Sequence, residues 1–169
     1  MAEIHKFTLT YDAAEDRIAW DGEAEDRATV RMWLTQRLCR MMVKAMVPMI
    51  VQAGAGGVAR GGETAVQAWE QAAAVADIGK LAPVRPQPQS PAGLVRTVNI
   101  RPAGDKIVLT FDFGAESPCA IGLNLQQIRQ TLAVIHGLYV RAGWPADVWP
   151  AWIADPAAAA GGARTDIAN

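Results

Sequence analysis

Reactive chemistry in this chain would have to come from very few side chains. There are two histidines, His5 and His136, and two cysteines, Cys39 and Cys119. An imidazole titrates near neutrality and can take a proton from a thiol, making a nucleophile for acyl transfer. No two of these four residues stand close in the sequence, so any Cys-His pair would have to be made by folding. Gly-x-Ser-x-Gly, His-Glu-x-x-His and Cys-x-x-Cys are all absent from the sequence. The reading is therefore of a protein that is not an enzyme, with no catalytic residue, metal ligand or cofactor-binding residue to name. His136 reads as a packing histidine at the edge of an apolar stripe.

Carboxylates cluster twice, as Asp12, Glu15 and Asp16 and as Glu23, Glu25 and Asp26. Neither cluster has the alternating ligands, glycine and terminal glutamate of a calcium loop, and turns favour aspartate for local backbone hydrogen bonds, so both read as solvated turns. The glycines from Gly54 to Gly62 suggest an anion-cradling loop, but no Gly-Lys-Ser/Thr ending follows. The preceding segment is a Met-rich helix where a nucleotide motif requires a strand. That run reads as a hinge.

Two segments are unusual for their apolar content. On the helix that follows Thr35, the residues Leu38, Cys39, Met42, Val43, Met46 and Met49 belong to a greasy face spread over roughly 200° of the wheel, twice the usual core-facing width. One sheet cannot cover such a face, so the expectation is that the middle helix, a second subunit or a client protein covers the rest. Methionine is soft and adapts to a partner, which makes Met42, Val43, Met46 and Met49 candidate partner-binding residues. The second segment, Trp144-Pro145-Ala146-Asp147-Val148-Trp149-Pro150-Ala151-Trp152, interleaves three indoles with prolines. It forms a stiff strap, suited to lidding its own domain or anchoring an interface through Trp144, Trp149 and Trp152.

The elements that must position these residues follow a simple grammar. Apolar and polar residues alternate over 4–11, 17–21 and 28–34, the period of half-buried strands, and Thr35 caps a helix running to about Val51. The grammar returns as strands over 95–101, 106–113 and 119–123, with Asn124 capping a helix that reaches Arg141 and stops at Gly143. Sliding the chain by 89 residues puts Leu9 on Val98 and Tyr11 on Ile100. One inserted residue near the cap then matches Leu38 with Ile128 and Met42 with Leu132. Internal duplication and ordinary repetition of pattern both account for this echo.

The expected fold is α+β: two β-β-β-α units, 4–53 and 94–153, forming a two-layer antiparallel sheet/helix sandwich within one domain over 1–153. Between them lie an Ala-rich helix over 63–78, whose Val66, Trp69, Ala73 and Ala76 form a docking seam, and an extended connector over 81–93 with prolines at 83, 86, 88 and 91. Residues 154–169 are expected to be a disordered tail.

Composition bounds the function. The chain has 169 residues with 16 basic and 17 acidic side chains, which leaves no cationic excess for a nucleic-acid backbone. Nucleic-acid binding through Arg31, Arg37, Arg40 and Lys44 is accordingly disfavoured. The stretch around Met41 to Val51 is too short and too interrupted to cross a membrane. Unpaired thiols and a strand-like N-terminus give a cytoplasmic expectation. The function expected is a non-catalytic adaptor or assembly protein that binds itself or another protein. The alternative is a small-molecule-binding or enzymatic domain with a pocket where Trp20, Trp33, His136 and Cys39 converge.

Overall fold

The alternating stretches become strands. β1 (Ala2–Asp12), β2 (Arg17–Ala24) and β3 (Thr29–Leu34) form an antiparallel meander in which Leu9 faces Trp20 and Trp20 faces Met32, so their apolar side chains share one surface. The computed structural model describes residues 2–54, 63–76, 78–79, 82–115 and 118–161. Most of the proposed glycine hinge, at 55–62, and the end of the tail, at 162–169, lie outside the described residues.

After the meander, Thr35 caps α1 (Gln36–Gly54), its Oγ1 accepting the Leu38 N–H at 3.2 Å. α2 (Glu63–Ala76) follows. A short strand, β4 (Ala92–Leu94), precedes β5 (Thr97–Ala103), β6 (Lys106–Asp112) and β7 (Cys119–Leu123). α3 (Leu125–Ala142) has the expected ends. Asn124 and Gln127 satisfy each other's backbone N–H groups in a capping box, and Gly143 closes the helix in the left-handed conformation, φ 67°. The structure is mixed α+β.

Three elements depart from expectation. β4 arises inside the proline-rich stretch that reads as irregular, pairing parallel to β3 with Met32 opposite Gly93. The Trp-Pro strap contains a helical turn, α4 (Ala151–Ala154). The tail is ordered further than expected, as α5 (Pro156–Gly161), where the Asp155 carboxylate accepts the Ala158 N–H at 3.1 Å and Pro156 opens the helix.

All seven strands form one curled sheet in the order β4-β3-β2-β1-β7-β6-β5. The first and last members of that order are consecutive in the chain, separated by Val95 and Arg96 alone. Val95 N–H donates to the Trp33 carbonyl of β3 at 2.9 Å, and Arg96 N–H donates to the Asp112 carbonyl of β6 at 2.8 Å. The sheet thus rolls until its two ends meet in a single stretch of backbone. The seam elsewhere is the parallel β1–β7 pairing, Ala2 with Cys119 and Glu3 with Ala120. Trp20, fully buried, sits between Phe7 at 4.9 Å and Phe111 at 5.1 Å, linking strands from both halves of the chain in one core.

Candidate protein-binding groove

α1 resolves the question its sequence raises. Cys39, Met42, Val43, Met46 and Ile50 are all buried, Met49 is half-buried, and α1 packs on α3 and β5. The surplus apolar face is covered by the second half of the chain. Val43 and Met46 are therefore core residues in the free chain and present no surface to a partner, and Met42, equally buried, only borders a groove beside α1. Only Met41, 58% exposed, carries the soft side chain outward.

The middle helix plays a different part from the expected one. α2 packs on α3, α4 and α5, and its buried residues are Gln67, Ala68, Gln71 and Ala74, so the Val66-Trp69-Ala73-Ala76 seam does not face the core. Trp69 is 71% exposed. The cause is Arg129 on α3, which is buried and needs acceptors. Its guanidinium donates to Gln67 Oε1 at 2.6 Å and pairs with Glu70, while Gln71 Nε2 donates to the Arg129 carbonyl at 3.0 Å. Burial lowers the Arg129 pKa, with the Glu70 charge acting the other way. Two glutamines and an arginine thus turn the helix away from its apolar seam.

The three indoles of the strap are buried against their own domain. Trp144 stands edge-on to Tyr139 at 5.0 Å and to Tyr11 at 5.7 Å, and its Nε1 donates to Asp16 at 2.8 Å. Trp149 meets Tyr139 at 5.3 Å and His136 at 5.1 Å, and Trp152 lies under the Arg129 guanidinium at 5.4 Å. Asp147 clamps the strap to α1 through a two-pronged pair with Arg40, which holds the carboxyl below its ordinary range. Asp16, accepting from both Tyr11 and Trp144, is likewise held low. The strap is a lid on the fold, so none of its tryptophans offers a free anchor.

The alternative convergence of Trp20, Trp33, His136 and Cys39 does not form. Trp20 contacts Phe7 and Phe111, Trp33 lies under Arg31 at 5.3 Å, and His136 meets Trp149. Cys39 is buried, and burial pushes its thiol up to about 12, far from a reactive thiolate. Cys119 is raised by burial as well. Among the described residues no three His, Cys, Asp or Glu side chains group to hold a metal ion, and no helix is long and apolar enough to cross a membrane.

A groove of about 630 Å³ lies between α1 and the backbone stretch that closes the sheet. Leu38, Met41 and Ala45 form one wall, and Val98 and Ile100 of β5 form the other. Arg37 and Arg96 stand in its lining, both exposed, and neither guanidinium has a hydrogen-bond or ion-pair partner among the described residues. An apolar floor flanked by free guanidiniums binds an apolar group and an adjacent anion together. Sequence reasoning named Arg37 only in a nucleic-acid context and missed the groove. No local pattern signals it, since α1 and β5 are brought together only by the fold. Comparison of the chain with protein-family models, with curated proteins and with solved structures finds no match in any of the three.

Proposed function

We propose that this chain is a non-catalytic protein-binding module, an adaptor or assembly factor, whose contact surface is the groove between α1 and β5. The observation that carries this reading is the combination of Leu38, Met41, Val98 and Ile100 with the unpartnered Arg37 and Arg96 in one open depression. Arg129, Arg40 and Asp16 are tied into the packing by hydrogen bonds or ion pairs, whereas the guanidiniums of Arg37 and Arg96 have no such partner among the described residues. The buried, unpaired thiols suit a reducing compartment such as the cytoplasm.

The same reading takes the chain as two β-β-β-α units, each lending a helix layer to the other's sheet. Supporting it, α1 packs on β5 and α3 packs on β1, and the β1–β7 and β3–β4 pairings are both parallel joints between the halves. A second reading, a site for a small amphipathic anion, is favoured by the groove volume, which falls within the range of about 300–1,000 Å³ common for small-ligand sites.

Photo-crosslinking separates the two. With p-benzoylphenylalanine in place of Met41, irradiation in native extract is expected to give discrete protein adducts, absent when the same group replaces Glu25 on the far acidic turn. Adducts of small-molecule mass alone would favour the second reading, and equal labelling from both positions would contradict a defined surface.

A further inference from the structure

The chain carries its own example of an extended segment held beside such a groove. A companion groove of about 490 Å³ lies between α3 and β1, its lining including Lys6, Phe7, Thr8, Leu9, Gln127 and Thr131. The connector runs along it. Ile78, Gly79 and Ala82 border the cavity, Val84 is buried, and the Val84 N–H donates to Thr8 Oγ1 at 2.9 Å. One strand hydroxyl thus holds the backbone of an extended, proline-flanked segment, and Val84 is its buried apolar side chain.

The two grooves share several equivalent positions. The 89-residue slide carries Thr8 onto Thr97 and Leu9 onto Val98, and the 90-residue match of the helices carries Thr131 onto Met41. Thr97, Val98 and Met41 all line the groove between α1 and β5. Charge is placed differently in the two grooves. Phe7 and Gln127 beside the connector become Arg96 and Arg37 here, and Lys6 becomes Val95.

Resting on the protein-binding reading, we infer that the groove between α1 and β5 takes an extended, acidic and apolar peptide segment of a partner protein. An apolar side chain sits against Val98 and Ile100, a backbone N–H donates to Thr97 Oγ1, and flanking carboxylates pair with Arg37 and Arg96. The connector's own sequence around this contact is basic, with Lys80 and Arg85, which unsuits it to a groove bordered by two arginines. An acidic segment carries the complementary charge.

The test is fluorescence anisotropy of the full chain with labelled octapeptides built on residues 81–88. One peptide has the native sequence, and one carries Arg85→Asp and Gln87→Glu. A ten-nucleotide oligothymidylate serves as a polyanion without apolar side chains. Saturable binding of the acidic peptide is expected, with the native peptide at least about tenfold weaker, a difference of about 1.4 kcal/mol. Charge reversal in Arg37→Glu/Arg96→Glu, both at exposed positions and with folding checked by circular dichroism, is expected to invert the preference.

Equal affinity for both peptides would overturn the acidic preference while leaving a protein-binding groove in place. Oligothymidylate binding as tightly as the acidic peptide would overturn a peptide occupant in favour of a plain polyanion site. No saturable peptide binding to the folded chain, together with protein adducts from position 41, would overturn the extended mode alone. The same failure without those adducts would sink the protein-binding reading as well.

Discussion

Gly93 has no room for a side chain: a Cβ there would lie 2.5 Å from the Phe113 carbonyl oxygen. Gly93 belongs to β4, where the sheet ends meet, so Gly93→Ala forces backbone apart at the closure and is expected to destabilise the fold by about 1–3 kcal/mol in chemical denaturation. Gly137, exposed on α3, has nothing within 4 Å of its Cβ position, so Gly137→Ala is expected to stabilise the fold by about 0.5–1 kcal/mol in the same assay. His136 gives a residue-scale pH dependence. Burial beside Trp149 lowers its pKa from 6.5, so the unfolded chain takes up a proton before the folded chain does. Its contribution to stability is complete above pH 6.5 and falls as the pH drops toward the folded value. Denaturation midpoints at pH 7.5 and pH 5 are expected to differ less in His136→Gln than in the natural chain. Asp16 and Asp147, both held below 3.8, act in a separate and more acidic window.

α2 shows what a helical pattern conveys and what it omits. Its start at Glu63 and its helical state are legible in composition, but the spacing of Val66, Trp69, Ala73 and Ala76 marks the greasy face, not the covered one. Coverage is decided by Arg129, over fifty residues away in sequence, which no local pattern connects to Gln67 or Glu70. Arg129→Ala leaves Gln67 without its donor and Glu70 without its cation. It is expected to destabilise the docking of α2 by about 3 kcal/mol, the low end for a broken buried pair because Glu70 keeps some contact with water. Hydrogen exchange should show this as faster exchange confined to α2 while β2 and β6 stay protected. Arg129→Lys is not expected to restore protection, since a single ammonium cannot reproduce the forked contacts to Gln67 and Glu70 while stacking on Trp152. The caps were readable where they are local, as at Thr35, Asn124 and Gly143. Asp155-Pro156 carried the same kind of signal for α5, outweighed in the reading by the alanines and glycines that follow.

At the scale of the whole molecule, the order of strands and helices was legible and the way they close was not. Two meanders each followed by a helix are written in periodicity. The meeting of β4 and β5 depends on two residues, Val95 and Arg96, that donate hydrogen bonds in opposite directions, and nothing in their identity announces it. Closure also decides the fate of the Met-rich helix: β5 and α3 arrive from the second half of the chain and cover Met42 and Met46, so the breadth of the apolar face reports an internal partner. What is left open is the narrow margin around Met41, between two arginines. The most direct test of that account is methionine-methyl NMR of the full chain during titration with the acidic octapeptide. The account predicts that the Met41 methyl resonance moves progressively to saturation while that of Met46, outside the groove lining, stays in place. Shifts centred on Met46 with Met41 unmoved would contradict it.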